Sequence, residues 1–274
     1  MKKLWLNFCI FQNGMKKIFY LFLFVGTVCF CQNSVKANLV DSMKIDVLDI
    51  FGVDTFGTMY YSTNDNTFNK KTKDTTITYT NYQLSEISTA NTFNPLKINL
   101  FYRDFNSVII LDNRLAEIFK IDFNTVVPYK NVSYVSTGYD NTIWIFNQDL
   151  QQLELYDYKT NKIRLKTVPI QSEVLDLKSD YNFCYLLTKQ FLYVYNYFGS
   201  LVKKFPNNNY EKMAFSQAHT VLKNNNQLSI LPKNNSEIIP ITHPNLLINQ
   251  FLVTNETLYI YNDGILRQYQ LKLE

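Results

Sequence analysis

The sequence predicts an all-β protein built from repeated four-stranded antiparallel units. Three observations support this. The 274 residues include 20 Tyr and 21 Phe but only 7 Gly, and aromatic and β-branched residues favour the pleated, half-buried surface of a sheet. Short segments of alternating apolar and polar residues recur along the chain. Asp, Asn and Gly turn signals separate these segments, and no Ala-, Leu- and Glu-rich stretch offers a long amphipathic helix.

The clearest unit covers residues 132–168. Asp140 and Asn141 form a turn, after which residues 142–147 and 152–158 alternate and are predicted to pair as a hairpin. Residues 132–138 lead into the unit and residues 162–168 close it. Similar units are predicted at 45–82, 96–129, 174–205, 212–241 and 247–273.

Turn residues at corresponding positions of these units give the repeat length. They are Asp54, Asp104, Asp140, Asp180 and Asn255. Their spacing is roughly 36–41 residues when the polar insertion at 64–74 is set aside and a further turn is placed near 218–219. Four short strands per unit with this period are typical of a β-propeller, in which neighbouring blades cover each other's apolar faces.

We therefore predict that residues 32–274 form a single six-bladed β-propeller domain with four-stranded antiparallel blades. Seven blades are the alternative, and a pair of β-sandwiches is less favoured because sandwiches need no steady period. The last unit has only three recognisable strands. We expect an N-terminal strand at Asn38 to Val40 to supply the fourth and close the last blade, so that no blade edge is left open.

Residues 1–31 are predicted to be a signal peptide. A basic Met15-Lys16-Lys17 segment precedes an apolar run at 18–28, which is shorter than the roughly 20 residues of a membrane span. Cleavage is expected after Cys31, and residues 1–14 are interpreted as an upstream extension. The leader resembles those of low-GC Gram-negative bacteria. An uncleaved anchor and a lipoprotein are the alternatives, although Val28 and Phe30 make poor residues before a lipidated cysteine.

Removing the leader changes the charge and the cysteine content. Its four lysines account for the net charge of +4, so the mature chain is near neutral. This disfavours nucleic-acid binding, which needs a basic surface. Cys184 is then the single cysteine of the mature chain and is predicted to be a buried core thiol. The expected location is the periplasm or the extracellular space, with no transmembrane span in the mature chain.

No catalytic, metal or cofactor site is predicted. His219 and His243 lie far apart in the sequence without a nearby Cys, which argues against a zinc site. The Asp and Asn turn residues would suit a Ca²⁺ ion in a hydrolytic propeller, but these residues favour turns because their side chains bond the adjacent backbone. The arginines are scattered rather than clustered. They are Arg103, Arg114, Arg164 and Arg267.

The stretch Thr142-Ile143-Trp144-Ile145 is similar to the Trp-centred strand of WD40 repeats. The repeat over residues 38–274 resembles the WD40, NHL and quinoprotein-like propellers in pattern. It departs from them in lacking the WD40 Gly-His and Trp-Asp pairs, sialidase-type Asp boxes and Ala/Gly/Trp-rich quinoprotein repeats. The resemblance implies a rigid scaffold whose loops bind on one face.

From this resemblance we predict a non-enzymatic, monomeric platform in the bacterial envelope. It would bind another envelope protein or a small ligand at one face. Exposed aromatic side chains, with Tyr139, Trp144 and Tyr197 as candidates, would serve as anchors. A propeller hydrolase acting on a lactone, ester or glycan at the central channel is the alternative. A third possibility is a ligand-binding sensor with a deep channel pocket.

Overall fold

A computed structural model describes residues 34–216, 218–233 and 237–272. The signal peptide, with its expected cleavage after Cys31, lies outside the described residues and stays a prediction. The regular secondary structure of the described residues is strand, apart from one short 3-10 helix at Arg103–Phe105. This confirms the all-β prediction for the part of the chain that the structure describes.

The strands are short, and most have four to six residues. In chain order they are β1 (Val35–Lys44), β2 (Asp49–Val53), β3 (Met59–Ser62), β4 (Phe68–Lys71), β5 (Thr76–Tyr79), β6 (Thr89–Asn91), β7 (Ile98–Tyr102), β8 (Ser107–Leu111), β9 (Glu117–Asp122), β10 (Val132–Thr137), β11 (Thr142–Asn147), β12 (Gln152–Asp157), β13 (Lys162–Lys166), β14 (Val174–Ser179), β15 (Phe183–Thr188), β16 (Phe191–Asn196), β17 (Leu201–Pro206), β18 (Lys212–Phe215), β19 (His219–Asn224), β20 (Gln227–Pro232), β21 (Ile239–Thr242), β22 (Gln250–Thr254), β23 (Thr257–Asn262) and β24 (Ile265–Lys272).

The prediction of six separate four-stranded blades, or of seven, is wrong. The described residues form four separate four-stranded antiparallel blades, namely β2–β5, β6–β9, β10–β13 and β14–β17. The other eight strands form one continuous sheet in the order β18-β19-β20-β21-β1-β24-β23-β22. Local sequence patterns locate strands, but they do not specify which strands exchange hydrogen bonds at a distance, and this is where the prediction failed.

β1 is the strand that makes the large sheet continuous. It pairs antiparallel with β24 from Lys36↔Lys272 to Lys44↔Ile265. The segment Asn38 to Val40, which was expected to pair with the last strand, lies within this region, with a register shift after Leu39. The first residues of β1 also pair in parallel with β21, at Val35↔Ile241 and Lys36↔Thr242. This ten-residue strand thereby joins β18–β21 to β22–β24 in one sheet.

The second unit contains a strand that the sequence analysis missed. β6 has only three residues, Thr89–Asn91, and all three are half-buried, so that it shows no alternation. The unit was therefore predicted to start near Leu96, one strand late. A further strand predicted at 126–129 is absent, since those residues lie in the connection between β9 and β10.

The apolar core lies between neighbouring sets of strands. Along β11, Ile143 and Ile145 pack towards β6–β9, whereas Trp144 and Phe146 pack towards β14–β17. This follows from the alternation of side chains along a strand. Trp144 is only 2% exposed, so its selection as a candidate surface anchor is wrong. Cys184 is buried in the same cluster as Trp144, as predicted.

Candidate functional site

Six strands stand side by side around a central channel. They are the first strands of the four blades, β2, β6, β10 and β14, and the two end strands of the eight-stranded sheet, β18 and β22. Each of them is an edge strand of its sheet. Each therefore has one side whose backbone N–H and C=O groups are not used by the sheet. Loops that follow these strands surround one end of the channel, which we call the C-terminal mouth.

Serine and asparagine side chains connect the strands on one side of the channel. Ser179, at the end of β14, hydrogen-bonds the Thr137 carbonyl, and its Oγ lies 2.8 Å from Ser136 Oγ at the end of β10. Asn91 Nδ2, on β6, donates to Ser136 Oγ at 3.0 Å. Because strand ends meet strand ends, β6, β10 and β14 run in the same direction.

Similar bonds connect β2 with β22 on the other side. Gln250 Nε2 donates to Asp49 Oδ1, and Gln250 Oε1 accepts the Ile50 N–H at 2.8 Å. At the far ends of the same two strands, Thr254 Oγ1 donates to the Val53 carbonyl. Burial raises the pKa of Asp49, and the hydrogen bond from Gln250 opposes that shift.

Two further contacts and one close approach of the backbone complete the wall of the channel. Asp176 Oδ2 accepts the Met213 N–H at 2.9 Å and so joins β14 to β18. Ser216 Oγ lies 3.4 Å from the Asn255 carbonyl, between the loops after β18 and β22. A Cβ atom on Gly52 would lie 2.2 Å from Thr92 Oγ1, so glycine allows β2 to approach the loop after β6.

A cavity of about 400 Å³ opens at the C-terminal mouth. Residues 51–56, 90–93, 213–216 and 251–255 line it, together with Pro95, Lys178 and Ser179. Its volume falls within the range of roughly 300–1,000 Å³ that is usual for small-molecule sites. Among the lining residues, Asp54 and Lys178 are the charged ones. Asp54 Oδ1 accepts the N–H groups of Phe56 and Thr58, and Lys178 Nζ lies 3.8 Å from Asp176 Oδ1.

Aromatic side chains lie on the loops at the C-terminal mouth, and two of them, Phe56 and Phe93, line the cavity. We call this set the aromatic face. It consists of Phe56, Phe93, Tyr139, Tyr181, Tyr197 and Phe198. Phe56 is 93% exposed and Phe198 is 68% exposed. Phe93 packs edge-on against Tyr181 at 5.1 Å between ring centroids, and Tyr139 packs in the same way against Tyr197 at 5.9 Å.

Turns on three separate loops position three members of the aromatic face. Asp54 Oδ1 accepts the Phe56 N–H at 2.9 Å, and Asn91 Oδ1 accepts the Phe93 N–H at 3.1 Å. Asn196 Oδ1 accepts the Phe198 N–H at 3.0 Å. In each case an Asp or Asn side chain binds the backbone two residues later, as in an Asx turn. The sequence analysis missed these phenylalanines, and the pattern Asx-x-Phe alone does not identify them, because it also precedes the buried Phe68 and Phe101.

The predicted turn residues lie at the C-terminal mouth with one exception. Asp180 Oδ1 accepts the N–H groups of Asn182 and Phe183, while Asp140 and Asn255 adopt positive φ angles of 50° and 52°. Asp104 does not correspond to them. It lies in the 3-10 helix between β7 and β8, at the other end of the channel, and this error follows from the missed strand β6.

The other candidate residues stay apart from one another. His219 begins β19, where burial lowers its pKa, and its Nδ1 has no hydrogen-bond partner. His243 is half-buried, with Nδ1 2.8 Å from the Pro244 carbonyl. Arg164 pairs with Asp157. Within residues 34–216, 218–233 and 237–272, no group of three or more His, Cys, Asp or Glu side chains is placed to hold a metal ion.

The same described ranges contain no helix with the length and apolar character needed to span a membrane.

Solved structures with a similar fold include two lyases. A catalytically inactive virginiamycin B lyase from Staphylococcus aureus, with quinupristin, has a TM-score of 0.58 and 12% identity, covering 82% of this chain and 80% of that chain. A streptogramin B lyase has a TM-score of 0.58 and 11% identity, covering 88% of both chains. A chain of the mitotic checkpoint complex has a TM-score of 0.56 and 10% identity, covering 89% of this chain and 94% of that chain.

These similarities show the fold alone, which is a β-propeller with a WD40-like arrangement. No protein-family model matches the chain. No curated protein matches it either.

Proposed function

We propose that this β-propeller is a non-catalytic binding module of the bacterial envelope, which holds a ligand or a partner protein at the C-terminal mouth. The aromatic face is the observation that carries the proposal. It groups exposed aromatic side chains on one face of the propeller, two of which line the cavity, and exposed apolar patches mark binding sites. Propeller loops on a rigid scaffold are also the usual place for binding residues.

The chemistry of the cavity supports binding over catalysis. Its two charged residues have partners, since Asp54 binds backbone N–H groups and Lys178 lies near Asp176. A hydrolase would need an activated nucleophile or water together with a general base. The hydroxyl groups of Ser179 and Thr254 instead bond backbone carbonyls.

Capture from envelope fractions tests the proposal with one pair of matched variants. Phe56 is 93% exposed at the C-terminal mouth, and Tyr82 is 96% exposed beyond β5, at the other end of the channel. Neither side chain contributes to the core, so Phe56→Ser and Tyr82→Ser should both fold normally. We expect Phe56→Ser to lose a captured component that the wild type and Tyr82→Ser retain.

Equal capture by all three proteins would overturn the proposal. So would turnover of lactone, ester or glycoside substrates that survives repeated purification and disappears in Ser179→Ala or Thr254→Val. That second result would support the hydrolase that the sequence left as the alternative.

A further inference from the structure

We infer that the ligand of the C-terminal mouth is a neutral carbohydrate, bound through one or two sugar rings at the end of a glycan. This inference rests on the proposed function and specifies the ligand class of the same site. Three properties of the cavity support it, namely its charge, its hydrogen-bonding groups and its aromatic rim.

The described lining of the cavity holds one negative and one positive side chain, so it carries no net formal charge. Asp54 and Lys178 are the charged side chains of its described lining. Asp54 already accepts two backbone N–H groups, and the Lys178 ammonium lies 3.8 Å from the Asp176 carboxylate. Moving an ionised group out of water without an opposite charge is costly. A neutral ligand therefore fits the cavity better than a phosphate, a uronic acid or a cationic peptide.

The wall of the cavity offers neutral hydrogen-bonding groups. Thr92, Ser216 and Thr254 contribute hydroxyl groups. Ser216 and Thr254 already contact backbone carbonyls, and their hydroxyl oxygens remain able to accept further hydrogen bonds. The strands β2, β6, β18 and β22 also turn their free edges towards the channel, and such edges carry N–H and C=O groups side by side. The hydroxyl groups of a sugar likewise donate and accept, so they match a wall of this kind.

The rim offers flat apolar rings beside these polar groups. Phe56 is almost fully exposed on the loop after β2, and Phe93 is held edge-on by Tyr181 on the loops after β6 and β14. A pyranose ring has a face of C–H groups that packs against an aromatic ring, while its hydroxyl groups point outwards. The combination of aromatic rings with neutral polar groups is what a sugar requires.

An apolar side chain of a partner protein is the alternative occupant of this site. Substitutions of Phe56 distinguish that side chain from a sugar. A leucine at position 56 provides apolar area but has no flat ring. Phe56→Leu should therefore retain an apolar protein anchor and lose a stacked sugar. Phe56→Tyr keeps the ring and should retain the sugar.

The experiment uses the exported, purified protein and a panel of neutral disaccharides built from glucose, galactose, mannose, xylose and N-acetylglucosamine. A disaccharide that contains a uronic acid is the anionic control. Binding is detected by saturation-transfer NMR and quantified by calorimetric titration. We expect at least one neutral disaccharide to bind with a Kd in the range of roughly micromolar to millimolar.

Four variants show whether the disaccharide contacts the aromatic ring of Phe56. We expect Phe56→Tyr to change the Kd by less than about threefold, and both Phe56→Leu and Phe56→Ser to weaken it by at least about tenfold. Tyr82→Ser should bind as the wild type does. The inference is overturned if no neutral disaccharide binds, if the uronic acid binds equally well, or if Phe56→Leu retains full affinity.

Failure of this inference is distinct from failure of the proposed function. If no saccharide binds while envelope capture still depends on Phe56, the carbohydrate inference is wrong and the proposed binding function is retained. If envelope capture is also independent of Phe56, the carbohydrate inference and the proposed function are both wrong.

Discussion

Lys130 and Glu154 form an ion pair inside the protein, with Lys130 Nζ 2.8 Å from Glu154 Oε2 and side chains only 5% and 2% exposed. Glu154 lies on β12, and Asn147 Nδ2 lies 3.5 Å from its second carboxylate oxygen. The Lys130 carbonyl in turn accepts a bond of 2.6 Å from Asn106 Nδ2. The pair thus belongs to a polar network between the β6–β9 and β10–β13 blades.

Removing one member of this pair should be far more damaging than removing both. Lys130→Met leaves the Glu154 carboxylate buried without a counter-charge, and we expect the free energy of unfolding to fall by about 3–5 kcal/mol. The double variant Lys130→Met with Glu154→Leu should recover most of that loss. Urea unfolding with an unchanged slope provides the measurement. Additive effects of the two substitutions would show that the pair is not coupled.

Tyr60 carries a buried hydroxyl group without a hydrogen-bond partner. Its ring stacks on Phe68, with 6.3 Å between the ring centroids. Tyr60→Phe keeps that ring and removes the unsatisfied group, so we expect stability to rise by about 1 kcal/mol. Tyr156→Phe is the matched control, because Tyr156 Oη bonds Asn161 Oδ1 at 2.9 Å. The control should lose about 1 kcal/mol. A loss of stability in both variants would contradict the prediction.

Gly52 allows β2 to approach the loop after β6. Gly52→Ala would place a Cβ atom 2.2 Å from Thr92 Oγ1, so the Thr92 side chain or the two segments must shift. We expect a loss of about 1–3 kcal/mol in chemical unfolding. Combining it with Thr92→Ala removes the colliding oxygen and should restore most of the stability. If the double variant is no more stable than Gly52→Ala alone, the close approach is not the cause.

Buried tyrosines make the fold sensitive to alkaline pH. Burial raises the pKa of Tyr60, Tyr156 and Tyr195 to about 12, against about 10 in the unfolded chain. Because the folded protein holds these protons more tightly, their contribution to stability is complete below about pH 10. It declines as the pH rises and is lost above about pH 12. Thermal unfolding followed together with tyrosinate absorbance measures this, and a constant midpoint across that window would refute it.

Local features of the fold could be predicted from the sequence. Asp54 and Asp180 were correctly interpreted as turn residues, because their side chains bond backbone groups only two to four residues away. The burial of Cys184 followed from the apolar strand that surrounds it. Such features depend on neighbours in the sequence, where alternation and turn chemistry are visible.

Features that depend on distant residues could not be predicted in the same way. The parallel pairing of β1 with β21 joins two groups of strands into one sheet, and no local pattern records it. The three-residue strand β6 is too short to alternate, which displaced the second unit and misplaced Asp104. Trp144 resembled a surface anchor, but the packing of β11 against its neighbours buries it.

The aromatic face was only partly predictable. Tyr139 and Tyr197 were recognised as candidates, and the structure brings them into contact. Phe56 was interpreted only as part of a turn and Phe93 was given no role, because the sequence does not show that the loops after β2 and β6 lie side by side. That arrangement depends on the order of the blades.

The pairing of β1 with β24 also has a kinetic consequence. Lys36 faces Lys272 in that pairing, so the contact spans almost the whole described chain. Contacts between residues far apart in sequence slow folding, because a long loop must close before they form. The strand that joins the large sheet cannot find its partner until the ribosome has synthesised β24. The eight-stranded sheet is therefore completed only after β24 has been synthesised, later than the four separate blades that precede it in the chain.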